Sequence, residues 1–198
     1  MKTSPIHLNP VILVHGIKDD ARKMEPLARL LRAEGREAHP LSFSPSWGEV
    51  GIDCLAAQLQ TRIDDLFPKE QPLDFVAFSM GGLVCRYYLQ RLGGLERTGR
   101  FVTISTPHRG SWLAWLLFNT GGRQMRPGSP FLRDLARDAD RLEATRFTSL
   151  WTPLDVMIVP SNSSVIPEAR CRKIWCLMHP LMVLEPRCLR AAAQSLRD

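Results

Sequence analysis

Ser79 is the residue in this chain whose neighbours most directly suggest chemistry. It lies in the run Ala77-Phe78-Ser79-Met80-Gly81, after the apolar residues 73–76 and before a helix-like stretch. Small residues two positions before and after a serine let a strand turn sharply into a helix, so the serine oxygen projects from the turn. Amide groups at the start of the helix then favour negative charge there. The run predicts a serine nucleophile, although the same short pattern also fits a buried structural serine.

Two further segments have the same organisation, an apolar strand pattern followed by a polar loop. Residues 11–14 are Val-Ile-Leu-Val and are followed by His15-Gly16-Ile17. Residues 101–104 are Phe-Val-Thr-Ile and lead into the run Ser-Thr-Pro-His-Arg-Gly-Ser at residues 105–111. Such apolar runs are typical of buried strands. In a parallel sheet the loops after these strands and Ser79 would gather at one edge.

Taken together, the three segments resemble the small lidless bacterial lipases and related esterases of the α/β-hydrolase superfamily. Residues 105–111 are similar to the Gly-Thr-Pro-His-x-Gly-Ser signature of that group, and the elbow of the lidless lipases also has alanine at its first position. The resemblance implies that Ser79 is the nucleophile. It also implies that the main-chain amides of Ile17 and Met80 form the oxyanion hole.

The resemblance extends to an acid and a base. In residues 148–160 a stretch rich in serine and threonine presents Asp155 shortly before Ile158-Val159. Residues 173–182 are predicted to end an apolar strand with His179, which apolar residues follow into a final helix. The implied order of Ser79, Asp155 and His179 is the one that belongs to this fold. Asp155 would hold the imidazole tautomer that accepts the serine proton.

Other residues compete for these roles. His15 and His108 follow predicted strands, although a histidine there often forms only local hydrogen bonds. Asp138 and Glu168 lie between Ser79 and His179 in the sequence and are alternative acids. Asp155 is also compatible with a turn after Pro153, and His179 with an interior histidine.

Four residues are candidates for substrate binding. Phe78 replaces the histidine common in the family before the nucleophile, and Lys18 stands near the oxyanion loop where an aromatic residue is frequent. Both departures are expected to alter substrate preference. Trp112 and Trp115 belong to the apolar run 112–118 and either line an acyl pocket or lie in a helix packed in the core.

No cofactor or metal is required by this chemistry. Five cysteines are present, and they show neither a Cys-x-x-Cys pair nor interleaved histidine ligands. Their spacing argues against a zinc site, and their odd number favours reduced thiols over a disulfide framework.

The order of strand and helix patterns predicts an α/β fold. We expect a single-domain minimal α/β-hydrolase over residues 1–198, with a mostly parallel central sheet of about six strands and helices on both faces. A helix capped by Asp19 or Asp20 should stop at Gly35, and a strand around 37–43 should lie at an edge because it contains a proline. Within 112–147, the Gly121-Gly122 pair is expected to end one helix and Ser129-Pro130 to start another, so the region could form a small helical flap.

Composition restricts location and partners. The net charge of +6 arises entirely in residues 100–198, which carry 14 basic and 8 acidic side chains. This excess suits an anionic lipid or acidic substrate, or it is a solvated surface of mixed charges. The chain shows no nucleic-acid-binding motif, no apolar run long enough to span a membrane, and no signal-peptide pattern in residues 1–10. We therefore expect a cytoplasmic protein, and the sequence does not indicate its oligomeric state.

The predicted function is that of a serine carboxylic ester hydrolase, similar to esterases and lipases, acting on a small-molecule or lipid ester through an acyl-enzyme. A thioesterase or an acyltransferase would use the same triad. A binding protein with this fold but without catalysis is a third hypothesis.

Overall fold

A central parallel sheet organises the part of the chain that the computed structural model describes, residues 8–197. The expectation about a signal peptide falls mostly on residues 1–7 and so lies outside the described residues. Over 8–197 the sheet has six strands in the order β2-β1-β3-β4-β5-β6. They are β1 (Val11–Val14), β2 (Ala38–Leu41), β3 (Leu73–Phe78), β4 (Thr98–Ile104), β5 (Arg146–Trp151) and β6 (Arg170–Lys173). Every neighbouring pair is parallel, which confirms the predicted fold class.

Helices cover both faces of this sheet. The α-helices are α1 (Glu25–Ala33), α2 (Ile52–Leu66), α3 (Met80–Arg91), α4 (Thr120–Gln124), α5 (Pro130–Ala136) and α6 (Pro186–Ser195). One apolar core joins the sheet to α2 and α3, and a second joins it to α1 and α6. Successive residues of β1 alternate between the two cores, with Ile12 in the first and Leu13 in the second. A strand buried on both sides has to be apolar throughout, as β1 is.

Several local predictions are confirmed. The Asp20 carboxylate caps a 3₁₀ turn over Ala21–Met24 that leads into α1, and Gly35 follows α1 with a φ of +79°. The strand that contains Pro40 is β2, which lies at an edge of the sheet. The Ser129 hydroxyl accepts a hydrogen bond from the amide of Leu132 and so begins α5.

Three local expectations are wrong. Gly121 and Gly122 lie inside α4 rather than ending a helix, and they let α4 pack closely: a Cβ at Gly122 would overlap the side chain of Leu117, and one at Gly121 would lie 3.0 Å from the Cα of Gly48. Residues 112–118 do not form a core helix, since Trp112–Leu116 is a 3₁₀ turn whose side chains, apart from the buried Ala114, are exposed. The final strand ends at Lys173, six residues before His179. As an edge strand, β6 has one open side and needs no apolar sequence.

No helix in residues 8–197 has the length and apolar character needed to cross a membrane.

Candidate active site

The turn from β3 into α3 places Ser79 in a strained conformation. Its φ of 55° and ψ of −126° are unusual for a residue with a side chain. The turn is held by the Ser79 amide, which donates to the carbonyl of Ile104 on β4 at 2.8 Å. Side chains at Gly81 and Gly82 would overlap the carbonyl oxygen of His15 and the hydroxyl of Thr106. The glycines therefore let α3 approach the neighbouring loops, and the strain at Ser79 is sustained by surrounding structure.

Ser79, His179 and Asp155 form a continuous hydrogen-bonded chain. The Nε2 atom of His179 lies 2.9 Å from the Oγ atom of Ser79. On the other side of the ring, Nδ1 lies 2.7 Å from the Oδ2 atom of Asp155. All three side chains are buried, with 7%, 3% and 6% exposure for Ser79, His179 and Asp155. The structure thus brings together the three residues that the sequence suggested as nucleophile, base and acid.

Asp155 is held by the loop that follows β5. Its Oδ1 atom accepts hydrogen bonds from the amides of Met157 at 3.0 Å and Ile158 at 2.9 Å. Burial alone would raise the pKa of this carboxyl group. The hydrogen bond and charge of His179, together with the two amides, outweigh burial and lower the pKa of Asp155. The group therefore remains a carboxylate whose free oxygen faces the imidazole.

Phe78 supports the imidazole from the other strand. The ring centroids of Phe78 and His179 are 4.8 Å apart in a tilted arrangement. Because Phe78 is the last residue of β3 and is buried, it offers a fixed apolar surface directly before Ser79.

The two residues predicted to supply oxyanion donors lie on either side of Ser79. Met80 begins α3, and Ile17 follows Gly16 in the loop after β1 and borders the cavity beside Ser79. A Cβ at Gly16 would lie 3.0 Å from the Cβ of Ser79. Glycine is therefore what allows the loop to approach Ser79. The next residue, Lys18, has a φ of 63°, and its amide donates to the Ser46 carbonyl at 2.8 Å.

The competing histidines have other partners. His15 contacts the carbonyl of Gly16 through Nδ1 at 2.8 Å, and its Nε2 accepts from the amide of Phe43 at 3.2 Å. Burial lowers the pKa of His15. His108 is buried, and its Nε2 lies 3.0 Å from the hydroxyl of Thr103. Burial and, secondarily, the charges of Arg86 and Arg109 hold the pKa of His108 well below its usual value. Both rings are neutral structural groups that shape loops.

The competing acids are also placed elsewhere. Asp138 accepts hydrogen bonds from Arg91 at 2.8 Å and from Arg141 at 3.2 Å. Glu168 lies two residues before β6, at the amino end of that strand, whereas Ser79 follows the carboxyl end of β3. Neither carboxylate is hydrogen-bonded to His179 in the part of the chain described here.

An apolar cavity of about 230 Å³ opens beside Ser79 and His179. Its walls come from the loop after β1, the 3₁₀ turn over Trp112–Leu116 and the Asp155 loop, and they include Ile17, Leu113, Leu116, Leu117, Met157 and Ile158. Trp112 and Trp115 do not line it. Their side chains are 60% and 49% exposed, and the guanidinium of Arg126 stands 4.5 Å from the centroid of the Trp115 ring. The face of this turn that lines the cavity carries Leu113, Leu116 and Leu117, and their spacing of three and four residues is the sequence pattern that could have identified it.

Exposed apolar side chains are concentrated on the loops around this cavity. They follow the carboxyl ends of the strands, and they include Trp47, Trp112, Leu116, Phe118, Val156, Trp175 and Leu177. Apolar rims of this kind are typical of sites that receive apolar ligands or surfaces. Residues 8–197 contain no group of three or more histidine, cysteine or acidic side chains suited to a metal ion.

Comparison with solved structures shows the same fold in several hydrolases. A mature lipase of Bacillus licheniformis, BlEst2, has a TM-score of 0.78 at 16% identity, over 98% of this chain and 94% of that chain. Lipase B of Aspergillus fumigatus has a TM-score of 0.81 at 17% identity, over 96% of this chain and 53% of that chain. A pyrethroid hydrolase of Sphingobium faniae has a TM-score of 0.63 at 12% identity, over 96% and 98% of the two chains.

A family model provides the assignment by sequence. The model for palmitoyl protein thioesterases matches residues 10–114, more than half of the chain. The match includes the Gly16 loop and the Ser79 elbow, and it ends before Asp155 and His179. This chain, with its six-stranded α/β-hydrolase sheet over residues 8–197, belongs to the palmitoyl protein thioesterase family.

Proposed function

We propose that this protein is a serine hydrolase of carboxylic esters that acts through an acyl-enzyme on Ser79. The observation that carries the proposal is the buried chain from Ser79 through His179 to Asp155, with heavy-atom distances of 2.9 and 2.7 Å. Its supports are the family membership and the hydrolase folds with which the chain aligns. The roles of the three residues follow from their protons and their order in the hydrogen-bonded chain.

Acylation begins when the Ser79 oxygen attacks the ester carbonyl carbon and its proton passes to Nε2 of His179. The carboxylate of Asp155 stabilises the resulting imidazolium and fixes the ring through Nδ1. Negative charge on the carbonyl oxygen is stabilised by the amides of Ile17 and Met80, the second of which lies at the positive end of α3. The attack produces a tetrahedral intermediate. When it collapses, the acyl–oxygen bond breaks and the leaving alcohol takes its proton from His179.

Deacylation repeats these steps with water. His179 accepts a proton from the water as its oxygen attacks the acyl carbon, and it returns that proton to Ser79 when the carboxylic acid leaves. The apolar cavity beside Ser79 is suited to the acyl chain, because its lining is almost entirely hydrocarbon. No cofactor or metal enters this sequence of steps.

The region 112–147 is proposed to act as a small helical flap over the acyl cavity within a single domain of 1–198. The region contributes several residues to the wall of the cavity. Near its centre, hydrogen bonds of Gln124 attach it to α2. The side-chain oxygen of Gln124 accepts from the amide of Ile52 at 2.5 Å, and its nitrogen donates to Asp53 at 2.7 Å. A Gln124→Ala variant should therefore change KM for long acyl chains more than for acetate.

The test of the proposal is hydrolysis of p-nitrophenyl esters from acetate to palmitate by the wild type and by Ser79→Ala. Ser79-dependent hydrolysis is expected, and the chain-length optimum separates an esterase from a lipase. If the two proteins are equally active, or if neither exceeds the uncatalysed rate, ester hydrolysis at Ser79 is wrong.

Thioester hydrolysis is the second candidate, and the family match favours it. The same triad serves both reactions, so the two are distinguished by kcat/KM for oxygen and sulfur esters with one acyl chain. Addition of an alcohol or thiol acceptor tests acyl transfer in the same assay. A protein that binds such esters without hydrolysing them would instead support the binding hypothesis.

A further inference from the structure

A second cavity, of about 250 Å³, adjoins the candidate nucleophile. It shares five lining residues with the apolar cavity, namely Ile17, Ser79, Leu117, Met157 and His179. Ser79 and His179 therefore stand where the two cavities meet. An ester whose carbonyl carbon lies at Ser79 extends in two directions, with the acyl chain on one side and the leaving group on the other. Two cavities that meet at the nucleophile match these two parts of a substrate.

The second cavity differs from the first in charge. Its lining includes Lys18, Lys23 and Asp19, two cations and one carboxylate, whereas the lining of the first cavity contains neither lysine nor acid. In residues 8–197 neither ammonium group forms a salt bridge. The lining therefore keeps a net positive charge at neutral pH.

Aromatic rings position both lysines at the site. The Nζ atom of Lys23 stands 5.9 Å from the centroid of Phe78, the ring that packs 4.8 Å from His179. The Nζ atom of Lys18 stands 4.9 Å from the centroid of Trp47. A cation over an aromatic face is held only weakly and keeps its full charge, so it can still bind an anionic ligand. Lys23 thus contributes a positive charge to the cavity that His179 also lines.

We propose that this second cavity binds a leaving group that carries a negatively charged oxygen group, with Lys23 as the main determinant and Lys18 as the second. The inference rests on the proposed ester hydrolysis at Ser79. The charged group takes no part in the bond changes: the acyl–oxygen or acyl–sulfur bond breaks, the leaving atom takes its proton from His179, and the anion leaves unchanged. The negative charge of Asp19 partly offsets the charges of the two lysines and so reduces the preference for an anionic leaving group.

The experiment compares two esters with the same acyl chain, 4-nitrophenyl butyrate and 3-carboxy-4-nitrophenyl butyrate. The measured quantity is the ratio of kcat/KM for the anionic ester to that for the neutral ester. We expect Lys23→Gln to lower this ratio by about five- to tenfold, and Asp19→Asn to raise it, because the two changes alter the charge of the cavity in opposite directions. In the wild type, 0.5 M salt should lower the ratio through screening.

Lys69→Gln is the matched control, since Lys69 lines a different cavity beside Glu70 and Arg97. Its ratio should equal that of the wild type. If Lys23→Gln and Asp19→Asn leave the ratio unchanged while the neutral ester is hydrolysed with dependence on Ser79, the anionic subsite is wrong and the proposed function stands. If wild type and Ser79→Ala hydrolyse both esters equally, or neither, both proposals fail.

Discussion

The Oδ2 atom of Asp155 lies 2.7 Å from the Nδ1 atom of His179, although the two residues follow different strands of the sheet. Asp155 follows β5 and His179 follows β6, so the loops after adjacent strands bring the proposed acid and base together at the same edge of the sheet. The turn that holds Asp155 uses its second oxygen for the amides of Met157 and Ile158. One oxygen of the carboxylate therefore fixes the loop, and the other orients the imidazole.

Replacing Asp155 by asparagine should reduce kcat by about 10³- to 10⁴-fold, because an amide neither stabilises the imidazolium nor enforces the required tautomer. The amides of Met157 and Ile158 can still bond the asparagine oxygen, so the urea midpoint should change little. The matched control is Asp138→Asn, which removes one of the two alternative acids and one of the two carboxylates paired with Arg91. A large loss of kcat in Asp138→Asn and none in Asp155→Asn would reverse the assignment.

Gly16→Ala should reduce kcat by about 10- to 100-fold, since its Cβ would lie 3.0 Å from the Cβ of Ser79 and 3.2 Å from the ring of Phe78. The displaced loop would carry the Ile17 amide away from the developing oxyanion. Gly35→Ala is the control: it has a positive φ and no atom within 4 Å of its Cβ, so it should cost about 1 kcal/mol of stability without loss of kcat. Equal kcat values for the two variants would contradict the oxyanion role of this loop.

The unfolding free energy should fall as the pH drops from about 6.5 to 5. Burial lowers the folded-state pKa of His15 and His108 from an ordinary value of 6.5. In this window the unfolded chain binds protons at these histidines that the folded chain does not, so stability is lost by up to about 1.4 kcal/mol per pH unit for each. The carboxyl group of Asp155 does not contribute in this window. Because its folded-state pKa is lowered, its protonation reduces stability only as the pH falls near and below the ordinary pKa of 3.8.

Urea titrations of His108→Gln at several pH values test the contribution of that histidine. The slope of the unfolding free energy against pH measures the number of protons taken up on unfolding. In the variant this number should be smaller by up to one, whatever the absolute stability of the variant. A slope identical to that of the wild type would show that His108 is not a neutral buried group.

Arg36→Met should destabilise the fold by about 3–5 kcal/mol, because the buried carboxylate of Asp74 loses its nearer ionic partner and keeps only Arg100, 3.9 Å away. The side chains of Arg36 and Asp74 are 2% and 0% exposed. Arg36 also donates to the carbonyls of Leu196 at 2.7 Å and Asn9 at 2.9 Å, and these bonds join the connection between α1 and β2 to both ends of the described chain. The exposed Arg22 is the control, and Arg22→Met should leave the urea midpoint unchanged. Comparable midpoints for the two variants would contradict this account.

The central strands were predictable because they are buried on both sides and carry apolar runs, at residues 11–14, 73–78 and 101–104. The β6 strand was misplaced for the opposite reason. Its sequence, Arg-Cys-Arg-Lys, carries no apolar signal, while the more apolar residues 174–178 lie in a loop with Trp175 and Leu177 exposed. Propensity and hydropathy cannot identify a strand that one neighbour stabilises mainly through backbone hydrogen bonds.

The candidate triad was predictable because its three residues lie in motifs that follow strands, Ser79 directly and Asp155 and His179 after short loops. The residues that line the cavities were less predictable. Trp112 and Trp115 were predicted as binding residues because they are large and apolar, yet Leu113 and Leu116 of the same turn line the cavity. The role of Lys23 beside Phe78 depends on how the 3₁₀ turn before α1 packs against β3, a tertiary contact without a local sequence signal.

Covalent labelling is the most direct test of Ser79 as the nucleophile. The protein is incubated with a fluorophosphonate, which phosphonylates activated serines, and the modified peptide is identified by mass spectrometry. Our account predicts one adduct on Ser79, loss of esterase activity in proportion to labelling, and labelling abolished in Ser79→Ala and strongly slowed in His179→Ala. An unlabelled Ser79 in a folded protein, or activity that persists after complete labelling of Ser79, would contradict it.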